Sequence, residues 1–233
     1  PPENFEFVET ADGSKTLYSK NYDEPCHSIH GAYEETLYNF VDGCNIVKRL
    51  TNTREESFNI LEVGFGLGMG PIATYQTMMD HDIQTPVHFY SFEIDENLIF
   101  WAKQAYQNSN ASLDMSDLIL TDEFGVKAYQ LEINNFKLSV FIGNATTTLP
   151  MLLEKLPLCQ AVFQDAFSPK KNPELWTADW FKHLRKASGL DVILSTYSAS
   201  QSVKNALLES GWRFEMVKGF KGKRSSIRAY LKD

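Results

Sequence analysis

Phe58-Asn59-Ile60-Leu61-Glu62-Val63-Gly64-Phe65-Gly66-Leu67-Gly68-Met69-Gly70 is the stretch that decides the fold. Its first six residues are a short, largely apolar run that stops at a glycine, the pattern of a buried strand. The four alternating glycines let the backbone turn tightly and approach a ligand where side chains would collide. A plain strand–helix turn is the alternative. A dinucleotide fingerprint, G-x-G-x-x-G, would need glycine where the chain has Met69. The spacing is instead G-x-G-x-G with Glu62 two residues ahead, the form used by S-adenosylmethionine enzymes, in which no pyrophosphate has to sit on the helix N-terminus. The sulfonium and amino-acid end of that cofactor is cationic and suits a carboxylate at Glu62. Phe65 and Gly68 belong to the same turn.

Outward from this turn, strands and helices alternate. A helix is predicted over 69–80, a strand over 87–93 and a helix over 96–107. Strands follow over 138–142, 161–165 and 192–195, with helices over 146–155, 176–187 and 200–210. The last two strands, about 212–218 and 226–231, form an antiparallel edge. Upstream, residues 5–20 read as a hairpin around Asp12-Gly13, and 31–50 as helical with an interruption near Gly43. The expectation is an α/β protein, Rossmann-like, with a mostly parallel sheet covered by helices on both faces. Residues 1–50 are expected to be a small N-terminal extension packed on a methyltransferase-type domain, 51–233.

Open α/β sheets bind ligands at the carboxyl ends of their strands. At the end of the second strand, Glu93 is placed to accept hydrogen bonds from both hydroxyls of a ribose; Asp95 is the lesser candidate. After the third strand, Asn144 and Ala145 are placed at an adenine edge, where an Asn carbonyl oxygen suits an exocyclic amine. After the next strand comes Asp165-Ala166-Phe167-Ser168-Pro169-Lys170-Lys171-Asn172-Pro173-Glu174-Leu175-Trp176-Thr177. Methyl transfer is an in-line displacement, and an amine attacks only with its lone pair free, so a carboxylate at Asp165 is useful as proton acceptor or orienter. The alternative is an Asp that caps the helix starting near Glu174. Phe167, Trp176 and Tyr197 stand near enough in sequence to such a site to support a base, or to be core.

The remaining features mainly exclude. No run of about 18 apolar residues exists to span a membrane, and Pro1-Pro2-Glu3-Asn4 does not begin like a signal peptide. Cys26, Cys44 and Cys159 are scattered, as expected of reduced thiols in a cytoplasmic protein. His27 and His30 have no partner pair at zinc-site spacing, so no metal is expected. A net charge of −8 argues against broad nonspecific nucleic-acid binding but leaves room for a local basic patch. One exists: Lys218, Lys221, Lys223, Arg224, Arg228 and Lys232, which also reads as a solvated terminal hairpin.

The Asp165–Thr177 stretch resembles the signature of bacterial methyltransferases that complete the 5-methylaminomethyl(-2-thio) group on the wobble uridine of certain tRNAs. Tyr22-Asp23-Glu24-Pro25-Cys26-His27-Ser28, with Glu34-Glu35-Thr36-Leu37-Tyr38-Asn39-Phe40, resembles the family's N-terminal signature. Ile60 to Gly68 resembles its cofactor loop, and Gly219-Phe220 with Gly222-Lys223-Arg224 its basic C-terminal turn. The resemblance spans about residues 10–230. It implies S-adenosyl-L-methionine as cofactor, held by Glu62, Gly64, Gly66, Glu93 and Asn144, and Asp165 as the catalytic residue. Family members are often fused to a flavin-dependent oxidoreductase. This chain ends without a second glycine fingerprint, so the stand-alone form is expected, with any oxidoreductase a separate partner. The resemblance also implies an anticodon stem-loop held by Lys170, Lys171, Lys218, Lys221, Lys223 and Arg224 through its phosphates, with the target base out of its stack. Two residues depart from the family: Asn144 stands where Asp is common, and Leu67 where Thr or a small residue is. A small-molecule amine methyl- or aminopropyltransferase of the same fold, or a non-catalytic nucleotide-binding module, are the competing readings; Lys170-Lys171 speaks against a polyamine substrate.

Overall fold

The computed structural model describes residues 4–106, 111–222 and 224–231. A small antiparallel sheet opens the chain: β1 (Phe5–Glu9) pairs with β2 (Lys15–Ser19), and β2 with the short β3 (Glu24–Pro25). The β1–β2 turn is pinned by Asp12, whose carboxylate accepts from the Ser14 backbone N–H at 3.0 Å and from the Thr10 hydroxyl at 2.6 Å. It also accepts the Glu34 N–H at 3.1 Å, tying the turn to α1 (Ala32–Thr36). A π-helical stretch (Leu37–Val41) continues α1, and after the predicted break α2 (Ile46–Asn52) follows. At Gly43 a side chain would overlap the Asn39 carbonyl, which is why glycine stands at the break.

The main body then runs β4 (Phe58–Val63), α3 (Met69–Asp80), β5 (Val87–Glu93), α4 (Asn97–Tyr106), β6 (Ile119–Glu123), β7 (Val126–Ile133) and β8 (Phe136–Ile142). It continues with α5 (Ala145–Leu152), β9 (Cys159–Gln164), α6 (Ala178–Lys186), β10 (Ser188–Thr196), α7 (Gln201–Glu209), β11 (Trp212–Lys218) and β12 (Ser225–Leu231). One sheet holds β4 to β12 in the order β11-β12-β10-β9-β4-β5-β8-β7-β6. The five central strands, β10-β9-β4-β5-β8, are parallel, and both edges are antiparallel.

Every residue of β4 is buried, because it has strands on both sides and packed layers on both faces. Phe58 and Ile60 join one apolar cluster with α3 residues such as Ile72 and Ala73; Leu61 and Val63 join another with Trp180, Phe181 and Leu207 of α6 and α7. Phe5, Leu17, Ala32 and Phe40 belong to the first cluster, so the N-terminal segment shares a core with the large sheet. Arg49 of α2 adds hydrogen bonds to the carbonyl of Gln160 (2.6 Å) and the side chain of Asp191 (2.7 Å).

The structure corrects the sequence reading at two places. Residues 107–137 were expected to carry no element beyond the end of a helix, but β6 and β7 form a second antiparallel edge there. The helix expected over 176–187 starts two residues later: Trp176 closes a 3-10 turn (Pro173–Trp176), and Thr177 caps α6 by accepting the Trp180 N–H at 3.1 Å.

Candidate active site

The chain runs from β4 to β5 on one side and returns to β9 on the other, which opens a crevice at the carboxyl ends of β4 and β9. Asp165 stands in it. Its backbone N–H donates to the Val63 carbonyl at 3.0 Å, and a Cβ on Gly64 would come within 2.7 Å of the Asp165 carbonyl oxygen. Gly64 also has φ of +98°, so both the close approach and the backbone conformation demand glycine there.

A cavity of about 260 Å³ fills the crevice. Six residues expected at the cofactor line it: Gly64, Gly66, Glu93, Asn144, Ala145 and Asp165. Gly66 (φ +56°) donates its N–H to Glu93 Oε2 at 3.0 Å, and Asp95 donates its N–H to Oε1 at 2.9 Å. Burial pushes the Glu93 carboxyl up to about 7, opposed by these backbone donors. Asn144 is the N-cap of α5: its Oδ1 accepts from the Thr146 N–H at 3.0 Å and the Thr146 hydroxyl at 2.8 Å. The carbonyl oxygen expected to face an adenine amine thus already accepts two hydrogen bonds, and the side-chain NH₂ is the group left to a ligand.

Glu62, Phe65 and Gly68 stand behind the cavity wall instead. Glu62 is buried and accepts from the Ser91 hydroxyl at 2.6 Å. A Cβ on Gly70 would overlap its carboxylate, so that glycine makes room for it. Burial pushes the Glu62 carboxyl up to about 8, with the Ser91 hydroxyl opposing. Phe65 is packed in the core, and its ring together with the Met115 methyl fills the space where Gly68 (φ +81°) would carry a Cβ.

A second cavity, of about 320 Å³, adjoins the first, and both are lined by Cys26, His27, Asp165, Ala166 and Phe167. Glu24, Ser28, Glu35 and Tyr197 complete its polar lining. Glu24 accepts the Ser168 N–H at 3.1 Å, and Glu35 the Ser28 N–H at 2.6 Å. His27 Nε2 lies 3.7 Å from Asp165 Oδ2. Phe167 stacks on Tyr22 with ring centroids 4.3 Å apart, and Tyr22 lines the first cavity. Trp176 is core: it is buried and donates its indole N–H to the Phe167 carbonyl at 2.8 Å. Tyr197 donates its hydroxyl to the Ala166 carbonyl at 2.7 Å.

Residue-type reasoning finds none of Tyr22, Glu24 and His27 as site residues, because they lie on the N-terminal segment far from the glycine loop in sequence. Resemblance singles out the Tyr22–Ser28 stretch without a role for any of its members. Among the basic residues, Lys170, Lys171, Lys218, Lys221 and Arg224 are exposed. Lys171 pairs with Asp23 at 3.3 Å, and Lys221 with Glu34. The Tyr38 hydroxyl donates to the Lys218 carbonyl at 2.8 Å, which lays the β11–β12 turn against the segment after α1. Lys223 lies outside the described residues.

A family profile described as S-adenosyl-L-methionine-dependent methyltransferase matches residues 107–232. The bifunctional protein MnmC of Burkholderia vietnamiensis, named for tRNA 5-methylaminomethyl-2-thiouridine biosynthesis, is 30% identical over 216 residues. The match takes in 89% of this chain and 32% of that protein, so the chain spans about a third of the length of the curated relatives it matches. The crystal structure of MNMC2 from Aquifex aeolicus superposes with a TM-score of 0.78 at 30% identity, over 99% of this chain and 72% of that one. A probable spermidine synthase from Corynebacterium glutamicum, at 10% identity and a TM-score of 0.55, shares the fold alone.

Proposed function

This chain belongs to the S-adenosyl-L-methionine-dependent methyltransferases, and we propose that its methyl acceptor is the 5-aminomethyl group of the wobble uridine in tRNA, giving 5-methylaminomethyl(-2-thio)uridine. One observation carries the reading: Asp165 lines two adjoining cavities at once, the arrangement needed by an enzyme that brings a methyl donor and an acceptor amine to one carboxylate. The names of the MnmC relatives support the choice of acceptor.

The first cavity fits the cofactor. Its wall combines a backbone with left-handed glycines at 64 and 66, the buried Glu93 carboxyl, and the Asn144–Ala145 helix start. Gly64 and Gly66 would let the adenosyl and methionine parts lie against bare backbone, Glu93 would bond the ribose hydroxyls, and Asn144 and Ala145 would meet the adenine. Glu62, Phe65 and Gly68 would hold this wall in shape from behind. S-adenosyl-L-methionine, when bound, supplies a methyl group on a sulfonium as the electrophile. Asp165 would hold the acceptor amine by its N–H groups and orient its lone pair. Phe167, backed by Tyr22, would support the flipped base.

Lys170, Lys171, Lys218, Lys221, Lys223 and Arg224 would contact phosphates of the anticodon stem-loop. An amine with no carboxymethyl group has to be made first, and a flavin-dependent oxidoreductase, fused or separate, would supply it. A small-molecule amine acceptor is the lesser reading, since the lysines at 170 and 171 are exposed beside the site loop. The test is methyl transfer from labelled S-adenosylmethionine to tRNA isolated with, or without, the 5-aminomethyl group. Labelled 5-methylaminomethyl nucleoside is expected only from the former; label in neither, or in both, would contradict the reading.

A further inference from the structure

We infer that His27 is the proton acceptor of the methyl transfer, working beside Asp165; this rests on the reading of the acceptor as a primary amine. His27 is buried, yet its ring lines both cavities. Its Nδ1 lies 3.2 Å from the Thr16 hydroxyl, which fixes the ring on β2. A Cβ on Gly66 would stand 3.8 Å from its Cε1, so the imidazole edges the glycine loop. On its other side, Nε2 is 3.7 Å from Asp165 Oδ2. That gap is too long for a good direct hydrogen bond, but one amine nitrogen can sit about 2.9 Å from both atoms.

A primary ammonium placed there donates one N–H to Asp165 and another to His27. With the Thr16 hydroxyl accepting from Nδ1–H, Nε2 carries the lone pair. A free imidazole titrates at about 6.5 and a free carboxyl at about 3.9, so imidazole is the better matched base near neutral pH. The ammonium N–H bond breaks, its electron pair stays on nitrogen, and the proton binds Nε2. The positive charge thereby moves from the amine to the imidazolium and remains beside the Asp165 carboxylate. The amine lone pair then forms the new N–C bond as the methyl–sulfur bond breaks, and that electron pair goes to sulfur. The product leaves as a secondary ammonium, and His27 returns its proton to water. The titratable groups that line the two cavities with it are Asp165 after β9, Tyr22, Glu24 and Cys26 on the histidine's own segment, Glu35 of α1, Glu93 of β5 with Asp95 after it, Glu174 before α6, and Tyr197 after β10.

Two measurements test this with an anticodon stem-loop RNA that carries 5-aminomethyluridine. In the first, histidine-selective ¹⁵N NMR of the cofactor-free wild-type protein follows the His27 ring. Its nitrogens are expected to shift toward the imidazolium on adding this RNA, and not on adding the same RNA with plain uridine. This arm needs no variant. In the second, kcat of the wild type is expected to rise with pH to a plateau. In H27Q, kcat falls roughly 10²-fold, KM stays within about threefold, and the limb moves to the alkaline side, where the amine loses its proton unaided. A wild-type-like pH limb in H27Q, or His27 resonances that ignore the aminomethyl group, would overturn the assignment. No transfer by the wild type at any pH would instead overturn the reading of the acceptor, and this inference with it.

Discussion

Two carboxyl groups at the centre of the molecule, Glu62 and Glu93, are buried, and burial pushes them up to about 8 and about 7 from an ordinary value of 4.5. Between those values the folded protein binds more protons than the unfolded chain, so their contribution is fully present below about pH 4.5 and is lost as pH rises through the folded values. The cofactor-free protein is therefore expected to lose stability between about pH 5 and 8. Glu62→Gln, which keeps the hydrogen bond from Ser91, should flatten that slope. Urea unfolding at several pH values measures it, and a flat or rising wild-type profile would contradict the burial argument. At this scale the sequence was only partly legible. The carboxyls at 62 and 93 and the glycines between them could be read as one site. Which face of β4 looks toward the cavity could not, since a strand buried on both faces carries no polar side to mark it. His27 was illegible for a different reason: a histidine on a separate segment acquires meaning only when the small sheet brings it to Asp165.

The elements follow a similar division. β4, β5, β8, β9 and β10 could be read because each is an apolar run closed by a glycine or a polar residue at the sheet's carboxyl edge. β6 and β7 escaped because neither is an apolar run: β6 is the edge strand, with Ile119 and Leu120 exposed, and in β7, between β6 and β8, polar residues interrupt the pattern. Their turn is Phe124-Gly125, with φ of +58° and +79°, whereas two-residue hairpin turns of this kind usually announce themselves by Asn-Gly or Asp-Gly. Phenylalanine is the strained member, since an L side chain in the left-handed region costs about 1–2 kcal/mol. Phe124→Asn is expected to leave stability unchanged or to raise it by up to about 1 kcal/mol, while Gly125→Ala should lower it by about 1 kcal/mol despite open space around its Cβ. Denaturant midpoints of the two variants check the order. The reverse order would mean that packing, not backbone conformation, governs the turn.

At the scale of the whole molecule, a net charge of −8 means that the proposed tRNA substrate would have to be held through a local basic patch. Lys171 and Lys221 are already paired with Asp23 and Glu34, so the proposed tRNA surface leans on exposed residues such as Lys218 and Arg224. Lys218→Glu with Arg224→Glu should weaken tRNA binding at least about tenfold and lower the salt slope by about one for each phosphate no longer neutralised. Unchanged affinity and slope would remove the β11–β12 turn from the surface. The sheet order does the rest of the work: the reversal between β4 and β9 opens the crevice, and Asp165 stands where the two cavities meet. The most direct test of that placement compares Asp165→Ala with the wild type in cofactor affinity and in single-turnover methyl transfer. The rate is predicted to fall roughly 10²–10⁴-fold, while the Kd for S-adenosylmethionine changes by less than about tenfold, the worth of ~1.4 kcal/mol. Equal losses in binding and rate, or a rate left intact, would contradict a carboxylate that faces both substrates.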